Sequence, residues 1–592
     1  MGYSEANPTE GDANTAPRDD GPLTTTDSKT MNYLPPNEKE IPATEDQRGN
    51  TDATGVKKVE AVVLAWSKKT VLAIYAWIWL CYFMLAFHSA ISGSVILNAY
   101  SKFQTAPEVA TASILATVVG GVLKLPIAKI LNIWGRAEAL IIFTGVFLLG
   151  IIVLASCGGP NGYAAGYVLY WVGYDAIYLI LNVFIADTSG LRNRAFAFAF
   201  SSTPFICTAF TGPRAAQSFL SMTTWRWAYY AFAIIFPFVL LPLAAAFKFY
   251  ERKAGKMGIY QKEDTGRTLI QSITHYIHEF DVVGGALLMA AFILLLLPFS
   301  MATYGRAGYS SATFIAMLVI GFCLLFVFAA WEKFFARKQF IRYELLKQRT
   351  VIGACLLSAV SSLGYAAWDL YFMNFVMVVY NLSISDAGYM GQIYNIGSCF
   401  WGPLFGIYIR QTKHFKNACL FFGLPLMLLG SGLMIHFCGQ DGGIGYIVMC
   451  QIFIAVAGGT LVIGQEMAVM SAADHDGVPM MLSILGLFAS LGGAAGSTAS
   501  SAIYTNVFPK TLISGLPAAA KADWNTIYIG GYVAQMQYPM GSEIRDAIDA
   551  AWGDSQKYIC IVATASVALG WPCIAFWRNV NVDKKQVPGV VL

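Results

Sequence analysis

Runs of about twenty apolar residues, the length that crosses a hydrocarbon core of about 30 Å, follow one another almost without pause from residue 70 onward. Fourteen such runs can be drawn, centred near Ile78, Val118, Phe147, Ile177, Thr208, Phe236, Met289, Val319, Ser361, Ser398, Met427, Phe453, Ser490 and Val567. Helices that are hydrophobic all round belong inside a large core or a bilayer. Of the 592 residues 56% are hydrophobic and only 12% charged, where soluble domains carry about a quarter charged. The chain therefore reads as an all-α membrane protein with fourteen transmembrane helices.

The first sixty residues break the pattern, being rich in Pro, Thr, Asn, Asp and Glu and nearly free of aromatics. They bury too little apolar surface to offset the entropy of ordering, so residues 1–60 are expected to form a disordered tail. They lack the basic segment, short apolar core and small-residue cleavage site of a signal peptide. The eleven cysteines, among them Cys81, Cys207, Cys323, Cys355 and Cys450, show no C-x-x-C pair and read as small buried hydrophobes. A net charge of +4 scattered over the loops gives no footprint for nucleic acid.

Short cytoplasmic loops carry excess Lys and Arg, and here every second loop does. Lys68 and Lys69 precede the first run; Lys124, Lys129 and Arg136 follow the second; Arg192 and Arg194 follow the fourth. The sixth, eighth and tenth are followed by basic clusters at 248–267, 333–349 and 410–416. Both termini are therefore expected in the cytoplasm, although the turn at Asp474, His475 and Asp476 lacks a basic residue. The expected organisation is an N-terminal six-helix half at 61–250, a cytoplasmic linker with inserted helices seven and eight at 251–350, and a C-terminal half at 351–580. That half includes a long external loop at 504–557 and is followed by a cytoplasmic tail at 581–592. The sequon Asn381-Leu-Ser383 lies so near the membrane that it is expected to stay unmodified.

An ionisable side chain at bilayer depth is costly unless it meets a partner or a water-filled cavity. If two six-helix halves flank an inserted pair, helices one, four, nine and twelve surround the midplane site. Those four carry His88, Asp175, Asp369 and Glu466, which are the candidate proton-coupling residues. Trp171, Asp175, Tyr178 and Asn182 share one face of helix four, with Tyr174 beside them. On helix nine Tyr365, Asp369 and Phe372 share a face, with Trp368 adjacent; on helix twelve a stripe runs from Gln451 to Gln465. These aromatic and amide residues are the expected substrate wall, and Asp175, the most central, is the leading protonatable group. Asp369 and Glu466 read equally well as gate residues or solvated helix ends, and His88 as a hydrogen-bonded packing residue. Arg214 on helix five either gates or snorkels to the interface, and Gly212 and Pro213 before it weaken the helix. His275 and His278 have no partners at metal-ligand spacing, so no metal site and no enzyme constellation is expected.

The turn from Lys124 to Gly135 and Arg136 resembles the signature loop of the major facilitator superfamily, with Asn132 where many members carry Asp. The stretch Asp187-Thr-Ser-Gly-Leu-Arg192-Asn-Arg194, with Phe200-Ser-Ser-Thr-Pro-Phe-Ile, Thr211-Gly-Pro-Arg-Ala-Ala-Gln217 and Trp225-Arg-Trp-Ala-Tyr229, is more specific. Together with Glu279-Phe-Asp281-Val-Val-Gly and Ser385-Asp-Ala-Gly-Tyr389, it resembles the fungal siderophore-iron transporters, most of all the Mir-type members of filamentous fungi. The resemblance implies a major facilitator fold of fourteen helices and proton symport of a ferric hydroxamate chelate across the plasma membrane, by a monomer that also cycles through endosomes. A triacetylfusarinine C type chelate is the expected cargo, with ferrichrome types next. Three hydroxamates neutralise and fully ligate Fe(III), so the protein itself needs no cofactor or metal ligand. A fourteen-helix drug or toxin exporter and a nutrient-sensing receptor without net transport are the competing readings.

Overall fold

The computed structural model describes residues 68–582 except 104, 106–108, 189–190, 202, 257–268, 280, 304–309, 337–346, 439–442 and 472–477. The expected tail at 1–60 and all of the expected tail at 581–592 beyond Val582 lie outside the described residues, as do Asp474, His475 and Asp476.

The chain begins with α1 (Lys68–Lys102), α2 (Val109–Ile133), α3 (Arg136–Ser156) and α4 (Pro160–Thr188). A pair of helices, α5 (Leu191–Ser201) and α6 (Pro204–Met222), then precedes α7 (Trp227–Lys256). A short amphipathic α8 (Leu269–Glu279) leads to α9 (Val282–Thr303) and α10 (Ala312–Phe334). The second half runs through α11 (Arg349–Asp369), α12 (Phe372–Val379), α13 (Ile384–Thr412), α14 (Lys416–Phe437, with a π segment at Cys419–Gly423), α15 (Ile444–Met470) and α16 (Val478–Gly515). Short α17 (Trp524–Ile529) and α18 (Gly531–Gln535) precede α19 (Glu543–Ala568) and α20 (Gly570–Ala575).

Twelve helical stretches among the described residues are long and apolar enough to cross a membrane, against fourteen runs in the sequence. The two positions that do not qualify are both helical. In α9 (Val282–Thr303) the apolar residues Val282–Pro298 are those whose side chains are described, and α13 carries Asp386, Gln392, Asn395, Ser398 and Arg410 along its length.

The two halves meet where α2 packs on α16 and α6 on α13. Small residues make the approach close, as helix contacts in membranes require: a Cβ on Gly388 would come 2.6 Å from Pro213 Cβ, and, inside the second half, one on Gly492 or Gly496 of α16 would collide with the backbone of α11 at Ala359 or Leu363. The inserted helix α9 leans on α2 and α16, and α10 on α9. Asp281, at φ 44°, starts α9 by accepting from Gly284 N at 3.2 Å and ties it to α10 by accepting from Trp331 Nε1 at 2.9 Å.

The segment between α16 and α19 is shorter than the external loop expected at 504–557, because α16 continues to Gly515 and α19 starts at Glu543, where Ser542 Oγ accepts from Arg545 N at 3.3 Å. Apolarity marks where a helix meets lipid, whereas its ends are set by caps and backbone bonds. The connecting residues 516–542 are folded. Arg545, fully buried, donates to the carbonyl oxygens of Gln535 at 3.0 Å and Tyr538 at 3.1 Å and to that of Val378, while Trp552 Nε1 donates to Gln535 Oε1 at 2.8 Å.

Candidate functional site

Lys124 belongs not to a loop, as its place among the basic loop residues suggested, but to the interior of α2, which runs through Pro126 to Ile133. Its Nζ lies 3.1 Å from Asp175 Oδ2 on α4 and donates to Ser490 Oγ of α16 at 3.3 Å. Side-chain exposures of 17% for Lys124 and 24% for Asp175 leave the pair partly solvated. Gly120 on α2 and Gly486 on α16 give it room, since a Cβ would come 3.1 Å from Asp175 Oδ2 at the first and 2.9 Å from Lys124 Cδ at the second. A cation of one half thus bridges its own carboxylate and a hydroxyl of the other half.

Two cavities lie between the halves. One of about 220 Å³ is bounded by α4, α5, α6, α13 and α15 and offers Tyr178, Asn395, Ser398 and Glu466. The second, about 250 Å³, is bounded by α2, α11, α13, α14, α15 and α16 and offers Thr117, Ser361, Ser362, Tyr365, Gln465 and Ser497. Tyr394 and Val462 line both. Gln465 is buried and its Oε1 has no hydrogen-bond partner among the described residues, so the second cavity holds an unused acceptor.

Of the expected residues, Tyr178 and Glu466 share the first cavity, and Tyr365 and Gln465 the second. The stripe on α4 does not face one space. Tyr174 stacks on Tyr178 at 6.4 Å and Trp171 packs edge-on against Tyr174 at 4.9 Å, while Asn182 Oδ1 accepts from Tyr82 Oη at 2.6 Å. Trp368 and Phe372 are buried against each other at 5.2 Å, the Trp368 carbonyl accepting from Gln556 Nε2 at 3.1 Å. Asp369 is the last residue of α11 and is absent from both cavity walls, as is Gln451, whose buried amide finds no partner among the described residues.

His88 faces neither cavity. It is fully buried, with Nδ1 3.1 Å from Tyr170 Oη and its ring caged by Phe147, Tyr229, Phe232 and Phe236 at 4.6 to 6.5 Å. Arg214, nine residues and so about two and a half turns beyond the cavity residue Phe205, is exposed on the side of α6 turned away from the cavity. Gly212 instead packs inward, where a Cβ would come 2.5 Å from Ala90 Cβ.

At the turn between α2 and α3, Gly135 has φ 110°, a conformation that a side chain would strain. Arg136, 3% exposed, donates to Asp187 Oδ2 through Nε at 3.0 Å, with Nη2 2.9 Å from the same oxygen, and to Leu131 O through Nη1 at 2.9 Å. The carboxylate that meets Arg136 comes from Asp187 at the end of α4. Arg192 and Arg194 lie in the first turn of α5, and their side chains fall outside the described ones.

The profile of the Major Facilitator Superfamily matches residues 78–497. Siderochrome iron transporter 2 of Aspergillus fumigatus is 63% identical over 566 residues, covering 96% of this chain and 93% of that protein. The chain belongs to the siderochrome iron transporter family of the major facilitator superfamily. Siderophore iron transporter mirB of Emericella nidulans is 39% identical, covering 91% of this chain and 89% of its own length. Among solved structures, an inward-facing, occupied bacterial homologue of the human lysosomal transporter Spinster shares the fold, with a TM-score of 0.51 at 12% identity, 88% of this chain and 100% of that one being covered. The family is one of transporters rather than enzymes.

In this transporter two of the motifs that carried the resemblance meet across the halves. The Ser385 hydroxyl donates to Gln217 Oε1, Pro213 packs on Gly388, and the rings of Phe210 and Tyr389 lie 6.4 Å apart. Sequence reasoning missed Lys124, Ser490, Tyr394 and Asn395. Their signal was present in the polarity of run ten and in a lysine eleven residues before the loop glycine Gly135.

Proposed function

We propose that this transporter is a proton-coupled symporter that imports a ferric hydroxamate siderophore, of the triacetylfusarinine C type, across the plasma membrane. We read it as a monomer with cytoplasmic termini that also cycles through endosomes. The observation that supports coupling is the Lys124 to Asp175 pair with its bond to Ser490. A charge at bilayer depth costs about 3 kcal/mol or more when uncompensated. Ionised Asp175 therefore holds Lys124 in the first half. Protonated Asp175 no longer attracts it, and the ammonium then depends on groups such as Ser490 across the α2 to α16 contact. Proton binding is thereby transmitted to the surface on which the halves rock. The aromatic, hydroxyl and amide lining of the two cavities suits a neutral chelate with amide and carbonyl edges.

Sealed vesicles with an imposed pH gradient, supplied with radio-iron triacetylfusarinine C or ferrichrome, test the reading directly. Accumulation on the alkaline side, lost when the gradient is dissipated, is the expected result. Accumulation indifferent to the gradient would remove the coupling, and outward movement of drugs without chelate uptake would favour the exporter.

A further inference from the structure

The two cavities share a wall on α13 and α15. Tyr394 and Val462 are the residues that line both. Valine is β-branched and confined at χ1, so it cannot swing aside, whereas the tyrosine ring turns about two bonds. The ring of Tyr394 lies 4.7 Å from that of Tyr365, the aromatic wall of the second cavity, and against the backbone of α15 at Gly458. A Cβ at Gly458 would come 2.5 Å from Tyr394 Oη and 2.6 Å from Cε2, so the present ring position exists because residue 458 is a glycine.

Size gives the partition its meaning. Pockets for drug-sized ligands run from about 300 to 1,000 Å³, and each cavity, at about 220 and 250 Å³, falls short of that range. Joined, they enter it. The polar groups are divided too, with Asn395, Ser398 and Glu466 on one side of Tyr394 and Thr117, Ser361 and Gln465 on the other. A trihydroxamate chelate is roughly globular and presents amide and carbonyl edges around its whole periphery, so it needs both sets at once.

We propose that Tyr394 is a movable partition that determines which chelates are accepted: cargo binds with the ring swung off Gly458 and Tyr365, spanning both cavities. This rests on the reading of the protein as a hydroxamate chelate transporter. Tyr394 acts by occupying or vacating space, and its hydroxyl is not required.

The test compares half-saturation constants for radio-iron triacetylfusarinine C and for ferrichrome, normalised to surface protein, in the wild type, Tyr394→Phe, Tyr394→Ala and Gly458→Ala. Tyr394→Phe keeps the ring and should keep the ratio of the two constants. Tyr394→Ala removes the partition and Gly458→Ala dislodges it, so each should shift that ratio at least threefold with smaller change in maximal rate. Either of the two that reaches the surface decides the matter. An unchanged ratio in a surface-expressed Tyr394→Ala or Gly458→Ala, or an equal shift in Tyr394→Phe, overturns the partition. A wild type that takes up neither chelate overturns the functional reading instead, and the partition with it.

Discussion

Lys124 Nζ and Asp175 Oδ2 lie 3.1 Å apart in the interior of neighbouring helices, and the same ammonium reaches Ser490 across the junction of the halves. A pair so placed has two separable roles, holding the helices and sensing a proton. Asp175→Asn should keep the fold while abolishing gradient-driven accumulation, since the amide neither ionises nor holds Lys124 electrostatically. Lys124→Met should leave Asp175 unpaired and also abolish accumulation. The double variant should keep surface expression without regaining coupling. Vesicle uptake under an imposed gradient checks all three, and normal accumulation by Asp175→Asn would remove Asp175 from the mechanism.

Asp187 and Arg136 are a different kind of pair, almost sealed from solvent, with side-chain exposures of 1% and 3%. Removing one partner of a buried pair costs about 3 to 5 kcal/mol, because the other charge stays buried. Asp187→Asn should therefore lower the thermal unfolding midpoint in detergent markedly. Arg136→Lys should not rescue the site, since the guanidinium serves Asp187 and Leu131 O together and an ammonium lacks that fork. A midpoint unchanged in Asp187→Asn would show the pair to be energetically idle.

His88 sits among five aromatic rings with one nitrogen on Tyr170. His88→Gln keeps a polar atom that can reach Tyr170 and should leave the pH profile of uptake unmoved, at a stability loss of about 1 to 3 kcal/mol from altered packing. A displaced pH profile in the folded variant would return His88 to the proton path.

The helices were legible because hydropathy reports lipid contact, but of the four helices expected around the site only α4, α11 and α15 line a cavity, while α1 lines neither and α13, not among the four, lines both. What could not be read was the direction in which each side chain points. Asp175 and Tyr178 share a helical face three residues apart, yet one meets Lys124 on α2 and the other lines the first cavity. Facing depends on neighbours that a single helix does not reveal. Lys124 was misassigned because a charge after an apolar run resembles a loop, whereas the helix continues past it to Ile133. Tyr394 went unseen since its role depends on Gly458, sixty-four residues later. The ion pair of Arg136 with Asp187 unites two motifs that the resemblance had already marked, but as separate signatures.

The aromatic residues between α16 and α19 invite reading as a cargo surface, and replacing Trp524, Tyr528, Tyr532 and Tyr538 by Ser would on that reading weaken affinity alone. Their packing argues otherwise. Tyr528 lies 5.7 Å from Tyr504 and 6.0 Å from Phe508, Trp524 stacks on Tyr528 at 6.5 Å, and Tyr532, 7% exposed, accepts from Asn98 Nδ2 of α1 at 3.2 Å. The aromatic surface is largely spent on holding the segment down, and the quadruple variant should unfold it. Arg545 is the sharper probe, because its side chain serves the carbonyl oxygens of Gln535, Tyr538 and Val378. Arg545→Met leaves those three acceptors without their donor at about 1 kcal/mol or more each, and so should expose the segment to trypsin at Lys521, which already faces solvent. Tyr532→Phe removes only the tie to Asn98 and should leave Lys521 as resistant as in the wild type while loosening the contact of the segment with α1, read as faster hydrogen exchange at residues 527–535. Equal trypsin resistance of Arg545→Met and wild type would mean that the segment is held by its aromatic contacts alone.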